Sequence, residues 1–397
     1  MNSNPRITRV AVVSYHFTPD GAGRPNHVAQ ALRMMPFLHG VHLVASNYDH
    51  IRKSIAPADD MLRLPVRPYA RNISFQRILS YFDFARQVHR ARPVIEADLV
   101  YVCVPDYLAA LAVLRSKRAA GYKVIVDVVD LWPEAFPLPP YVNGLVKGVF
   151  NAFLKPLRRY LFREADLILF QSRYFLQQFA ANSRRSRFLP MCVTGKATMG
   201  KSQLRVPIIE EVRMLFLGSI NSITDIESLS AMLRLLALRR KVSLCVVGGG
   251  VGLESLRQRL AGTTVNVIVR GITFDRGVRE EEMARAHFGY NGYKTTTEVA
   301  VSYKALDYLQ RGLPIINGTK GDLRDLVKSS HCGLNFEPDG LPALVEKILL
   351  LSGAEHQRMG ENACRAFEEN FSFAQFNATL EGYVKNIVGT GPEASHG

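Results

Sequence analysis

Cysteine is scarce: five in 397 residues, Cys103, Cys192, Cys245, Cys332 and Cys364, an odd number with no CxxC spacing. That excludes a disulfide framework and a zinc knuckle, and it fits a reducing cytoplasm. Long apolar runs are missing too. No stretch approaches the ~18 uninterrupted apolar residues of a membrane-spanning helix, and the longest candidate, Tyr107 to Leu114, is far shorter. The opening residues Met1 to Arg6 are polar, and the apolar Val10 to Val13 is too short for the core of a signal peptide. The 29 glycines and 20 prolines show no period, which excludes a collagen-like or low-complexity chain. No His, Cys and carboxylate cluster has metal-ligand spacing, so no metal site is expected.

What is present is the composition of a globular protein, with 47% apolar and 21% charged residues. The length fits two or three domains. Lys and Arg outnumber Asp and Glu 50 to 35, a formal net charge of +15. The surplus is uneven. Residues 1–190 hold 26 basic and 13 acidic side chains, whereas the remainder holds 24 and 22. The first half must therefore meet something anionic: phosphate, nucleic acid or anionic lipid. On a helical wheel over Val146–Arg163, Lys147, Lys155, Arg158, Arg159 and Arg163 fall in one arc. Val149, Phe150, Phe153, Leu157, Tyr160 and Leu161 fall opposite, with Pro156 set to kink or divide the helix. Such a helix lies in a membrane interface or packs on a domain core. The arginines of 63–92, interleaved with Phe75, Tyr81, Phe82 and Phe84, offer a second basic surface of the same kind.

Strand and helix patterns alternate along the chain. Val10–Ser14, Val41–Ala45, Leu99–Val104, Lys123–Val129 and Leu167–Phe170 read as buried strands separated by helices, such as the one from about Tyr107 to Ala120. Continuous Val/Ile-rich runs between helices indicate a parallel sheet covered on both faces. The pattern ends near Arg187–Pro190 and restarts with Met214–Leu217, Val242–Val247, Val265–Val269, His287–Asn291 and Pro314–Ile316. The sequence thus predicts an α/β chain of two consecutive doubly wound, Rossmann-like domains facing a central cleft. The first spans 1–192, a linker 193–211 and the second 212–375, and a final segment 376–397 crosses back and ends in a frayed tail.

Asp307-Tyr-Leu-Gln-Arg-Gly312-Leu-Pro314-Ile-Ile316, with Lys304 three residues before Asp307, resembles a signature of retaining family-four glycosyltransferases, which have the GT-B fold. Asp130-Leu-Trp-Pro-Glu134 resembles the Asp-Leu-Trp/Tyr-Pro-Glu of a bacterial subgroup that builds surface polysaccharides and O-antigens. Tyr15–Ala29 and Ala165–Ser172 are similar to the first loop and last strand of that family's first domain. The resemblance runs in order along about the whole chain. It implies a retaining hexosyltransferase that takes sugar from a nucleotide-diphosphate donor, a co-substrate rather than a cofactor. The implied acceptor is a glycan, soluble or linked to polyprenyl diphosphate, at the inner face of the cell membrane.

The residues support parts of this reading. A helix beginning near Ser302 offers backbone N–H groups of Val301, Ser302 and Tyr303 and its positive dipole end to a diphosphate, with the charge of Lys304 added. A carboxylate at Asp307 can accept from both ribose hydroxyls, and the resemblance gives Glu298 the donor sugar. Eight residues separate Glu298 from Asp307, where the family pattern has seven between two glutamates. The family's Arg and Lys after the first strand of the second domain are absent from Gly218-Ser-Ile-Asn-Ser-Ile-Thr224. The leaving diphosphate then falls to Lys304, Arg24, or Ser219 with the backbone near Gly218. By resemblance, Gly248 and Gly249 also face the donor and Arg270 sits beside the base.

In the first domain, Gly21 and Gly23 permit close approach of the backbone, and Arg24 is placed to meet an acceptor pyrophosphate. Asp127, Asp130 and Glu134 line a strand end, where one carboxylate can act as general base; Asp130 as the cap of a turn is the other reading. No Asp-x-Asp occurs, which favours a metal-free mechanism. Competing readings are a two-domain nucleotide-sugar enzyme of the 2-epimerase type and a catalytically degenerate binding partner. A dehydrogenase lacks its Gly-x-Gly-x-x-Gly after the first strand, and nothing of recognised type supports nucleic-acid binding.

Overall fold

The computed structural model describes residues 8–18, 21, 23–50, 52–56, 59–71, 74–130, 144–180, 183–199, 207–273 and 275–389. The chain forms two compact units, Met1–Met191 with Phe376–Gly397, and Cys192–Gln375.

In the first unit the strands are β1 Thr8–Val13, β2 Leu38–Ser46, β3 Tyr48–Asp49, β4 Ser54–Ile55, β5 Leu62–Leu64, β6 Leu99–Val104, β7 Lys123–Val128, β8 Leu167–Phe170 and β9 Ser186–Phe188. β3 and β4 make a small antiparallel hairpin. The other seven form one sheet in the order β5-β2-β1-β6-β7-β8-β9, every pair parallel. The reason is legible in β6: all six residues of Leu-Val-Tyr-Val-Cys-Val are buried, as a strand covered on both faces requires. Asp106 caps the helix Tyr107–Ala120 that follows, accepting from Ala109 N at 3.1 Å, and Gly121 ends it at φ 80°.

The helix Gly144–Glu164 runs through Pro156 as one element rather than two. Its faces also differ from the wheel. Phe153 is 65% exposed, while Arg158 is buried and lays its guanidinium on the ring of Phe179, 4.9 Å from the centroid. Among the described side chains of this helix, Leu154, Arg158 and Leu161 pack inward, along one row of the helix surface.

The second unit contains β10 Glu211–Ser219, β11 Lys241–Gly249, β12 Asn266–Val269, β13 Phe288–Asn291, β14 Ile315–Asn317 and β15 Gly333–Asn335. They form a parallel sheet in the order β12-β11-β10-β13-β14-β15. From β10 the chain first moves one way across the sheet and then the other, so the switch point lies between β10 and β13. Residues 193–199, read as linker, are bonded into this unit. Gln310 donates to the carbonyls of Thr194 and Gly195 at 2.9 and 3.1 Å, and Thr198 N donates to Gln310 O at 2.8 Å. Toward its C-terminal end the chain forms the helices Gly353–Phe371 and Phe373–Val388, separated at Ser372. Ser372 is extended (ψ 148°) and bridges to Val193. Phe376, Leu380 and Val384 of the last helix are fully buried and belong to the first unit.

Candidate functional site

In open α/β sheets ligands bind outside the carboxyl ends of the strands, at the switch point. In the second unit that position is bounded by Gly218 and Ser219 at the end of β10 and by residues 292–302 after β13. The helix Tyr303–Gln310 starts there, capped by Ser302, whose hydroxyl accepts from Ala305 N at 3.3 Å. The structure brings Lys304 to the switch point. Its ammonium lies 4.4 Å from the Phe216 ring centroid and 4.3 Å from that of Tyr293, one ring from β10 and one from the loop after β13. Loss of hydration between these rings pulls the amine down to about 7. A cation so placed is poorly hydrated, which raises its attraction for an incoming anion.

Asp307 sits one turn further on, half-buried. Burial pushes its carboxyl above the ordinary value, opposed by Arg279, Arg311 and Arg276, and Arg279 forms an ion pair with it. Glu298 is half-exposed in the loop between β13 and the helix, and Val301 directly precedes the cap. Arg270 pairs with the buried Glu282, at 2.9 Å from Nε and 2.8 Å from an η-nitrogen.

The glycines at the end of β11 have a packing role. A Cβ on Gly248 would stand 1.9 Å from Gly218 O, and one on Gly250 would stand 2.5 Å from Ile220 O. Gly250 also has φ 123°. The loops after β10 and β11 therefore touch through bare backbone, tied by Ile220 N to Gly249 O at 2.7 Å. Gly289 is needed for a related reason: a Cβ there would lie 2.4 Å from the Tyr308 ring. That ring is fully buried, and its hydroxyl accepts from Leu217 N at 2.8 Å, so it locks the helix of Lys304 and Asp307 against β10.

Sequence reasoning missed the polar chain beneath the cap. Ser302 Oγ donates to Asn291 Oδ1 at 2.6 Å. Asn291 Nδ2 donates to Asn317 Oδ1 at 2.9 Å, Asn317 Nδ2 to Asn335 Oδ1 at 2.8 Å, and Asn335 Nδ2 to Arg324 O at 2.9 Å. The three asparagines are register partners across β13, β14 and β15. The signal was present, because each of these strands ends on asparagine. A cleft of about 400 Å³, counting its open solvent, adjoins this chain and is lined by Tyr293, Lys294, Thr297, Thr319, Lys320 and Glu337.

In the first unit, Arg24 and Asp127 meet each other in the interior rather than on a ligand-facing surface. Arg24 Nε donates to Asp127 Oδ2 at 2.7 Å, with the side chains 2% and 0% exposed. Tyr101 donates to the same oxygen at 2.7 Å, and Arg24 Nη1 donates to Pro190 O at 2.9 Å. The structural reason is that Arg24, in the first turn of the helix Arg24–Arg33, lies over β7 and against Phe376 of the returning helix, 5.7 Å from its ring centroid. Gly21 and Gly23 hold positive φ of 72° and 86°, and Asp130 is exposed just past β7. Glu134 lies outside the described residues.

Two parallel, doubly wound units of this kind define the GT-B fold, the class seen in nucleotide-sugar glycosyltransferases of known structure. No protein-family model matches the sequence, and no curated protein matches it. Among solved structures, the chain superposes on sucrose-phosphate synthase from Thermosynechococcus elongatus with a TM-score of 0.72 at 15% identity, covering 97% of this chain and 100% of that one. Anabaena HepE, solved with UDP, gives 0.67 at 13% identity over 96% and 100%. WaaG, a glycosyltransferase of lipopolysaccharide biosynthesis, gives 0.63 at 15% over 94% and 99%. At such identities the likeness is one of fold.

Proposed function

We propose that the chain is a glycosyltransferase that takes its sugar from a nucleotide-diphosphate donor bound by the second unit. The observation that carries this reading is Lys304: an ammonium held between two rings at the switch point, at the N-terminus of a capped helix. In this reading the N–H groups from Val301 to Tyr303 and Lys304 meet the diphosphate, and Asp307 takes the ribose hydroxyls through the carboxylate that Arg279 holds. Ser219 and the backbone at Gly218 and Gly249 line the opposite side, and Arg270 borders the base. Glu298 takes the donor sugar, and Asp130 serves as base or orienting group toward the acceptor hydroxyl. The leaving diphosphate is neutralised by Lys304 and the helix end, without a metal ion. Retention of configuration and a role in cell-surface polysaccharide synthesis follow from the resemblance of 304–316 and 130–134. The known complex of a similarly folded protein with UDP supports a uridine donor.

For the acceptor we propose a glycan, lipid-linked or soluble, met by the basic first unit at the cytoplasmic face of the membrane. Phe75, Ile78 and Phe82 stand 71%, 56% and 49% exposed on one side of the helix Phe75–Val88, among exposed Arg71, Arg86 and Arg90. Apolar anchors ringed by cations suit an anionic lipid surface. Among the described residues no helix is long and apolar enough to cross a membrane.

A thermal-unfolding screen with UDP-, GDP- and TDP-sugars tests the donor site. One of them at a hundredfold excess over Kd is expected to stabilise the protein by about 2.7 kcal/mol. Lys304→Ala and Asp307→Ala should abolish that shift. A shift that survives both substitutions places the donor elsewhere, and no shift with any nucleotide sugar ends the proposal.

A further inference from the structure

The first unit has a switch point of its own, between β1 and β6, and the residues gathered there have no part in the donor chemistry. His16 follows β1, His50 follows β3, Lys53 sits in the turn of the β3–β4 hairpin, and Arg77 lies in the first turn of the helix Phe75–Val88. Three separate segments thus deliver four nitrogen-bearing side chains to one place. The His16 and His50 ring centroids are 4.8 Å apart, and Lys53 Nζ is 3.4 Å from His50 Nδ1. The Arg77 guanidinium lies 5.8 Å from the Tyr69 ring and 5.3 Å from the Tyr81 ring, and Lys53 lies 4.9 Å from Tyr69.

The hydrogen bonds fix what these groups present. Arg77 donates to Tyr81 Oη from Nε at 3.1 Å and from Nη2 at 2.7 Å. The Tyr81 hydrogen is then directed to His16 Nε2, 3.1 Å away, which leaves the His16 proton on Nδ1. Likewise His50 Nδ1 faces two donors, Tyr69 Oη at 2.6 Å and the Lys53 ammonium at 3.4 Å; its one lone pair accepts from the nearer, Tyr69, so His50 carries its proton on Nε2. Burial, followed by the neighbouring charges, holds His16 well below its usual range and His50 at about 4, and it lowers Lys53 as well. The histidines are therefore neutral N–H donors beside two cations.

Two features make this an unusual way to fill a surface. Two cations and two imidazoles are brought together within reach of two carboxylates: Asp49, which accepts from Arg52 N at 2.9 Å and Arg52 Nη1 at 3.4 Å and acts on Lys53 and His50, and Asp130, on which Arg77 acts. Lys53 also holds φ 57°, one of two described non-glycine residues with positive φ, where a glycine or asparagine is the ordinary choice. An oxyanion bound here would add charge-assisted hydrogen bonds from Lys53 and Arg77. A multiply charged oxyanion matches a cluster of N–H donors on aromatic walls better than a sugar hydroxyl does.

We propose that His16, His50, Lys53 and Arg77 form the site at which the first unit binds a phosphate group carried by its saccharide acceptor. The word acceptor rests on the glycosyltransferase reading; the phosphate site does not.

The test compares glucose 1-phosphate with glucose by thermal shift and calorimetry on the full chain, with UDP as the probe of the other unit and phosphatidylglycerol vesicles as the lipid arm. Glucose 1-phosphate is expected to bind the wild type and Lys304→Gln alike, and to weaken at least about tenfold in Arg77→Gln and in Lys53→Gly. Lys53→Gly removes the cation at a position whose φ of 57° glycine adopts without strain, and an unchanged circular-dichroism spectrum checks that the variant is folded. The UDP shift should be unchanged in both variants. The proposal fails if the two variants bind glucose 1-phosphate as the wild type does, if glucose binds equally, if the loss follows Lys304→Gln instead, or if only vesicles respond. Glucose 1-phosphate binding at this site in a protein blind to UDP keeps the phosphate site and removes the glycosyltransferase reading.

Discussion

At the scale of single residues, Lys304 carries the strongest consequence. Its amine titrates near 7 in the folded chain and near 10.5 when hydrated. Between those values the unfolded chain holds a proton that the folded chain lacks. This residue's contribution to stability therefore rises with pH across that window, and it is least favourable below about 7, where the ammonium is charged in both states. In the proposed donor site anion binding runs the other way, because a diphosphate held there needs the ammonium. Donor affinity is expected to fall roughly tenfold per pH unit above neutrality, and Lys304→Arg should flatten the profile, since a guanidinium stays charged. Isothermal titrations from pH 6 to 9 check this; a profile unchanged by the substitution would show that Lys304 does not meet the donor.

At the scale of elements, the helix Tyr303–Gln310 is positioned by what lies under it. Gly289→Ala forces a methyl into the Tyr308 ring and is expected to cost about 1–3 kcal/mol, read by denaturant unfolding. The donor shift should weaken with it, because the ring carries the helix. The parallel strands were legible because buried runs such as Val10–Val13 and Leu99–Val104 leave no other reading. The helix with Lys304 and Asp307 was legible because Ser302 begins it and Gly312 with Pro314 ends it. The small hairpin at Tyr48–Ile55 was not, since two-residue strands carry no period. Nor was the Arg24–Asp127 pair, because residues 103 apart meet only through the sheet order. The same limit hid the His16 and Arg77 cluster: each residue looked unremarkable in its own segment, and only the fold gathers them.

At the scale of the whole molecule, the first unit is closed by a helix from the far end of the chain. Arg24 bonds Pro190, just before the chain leaves that unit, and lies against Phe376, where the chain returns. Arg24→Met should leave the buried Asp127 with Tyr101 but without its cation and cost about 3–5 kcal/mol, whereas Arg24→Met with Asp127→Leu should recover much of that. The loss is expected in the unfolding of the first unit, with the nucleotide shift of the second retained; calorimetry of the two variants with and without nucleotide reads both. Equal stability of the two variants would show that the ion pair is not what fastens the returning helix.

The asparagine chain under Ser302 has a chemical lifetime as well as a geometry. Asn291 and Asn317 each precede glycine, the sequence most prone to lose its amide nitrogen through attack by the next backbone nitrogen. In the folded protein the Gly318 N–H is engaged with Asn291 O at 3.1 Å, and both asparagine side chains are sealed from water. Once opened, either residue can age to a carboxylate, which has no hydrogen to pass along the row. The fold thus acts as a preservative for its own support, and deamidation at either of these two positions would undermine the cap of the helix Tyr303–Gln310 from beneath.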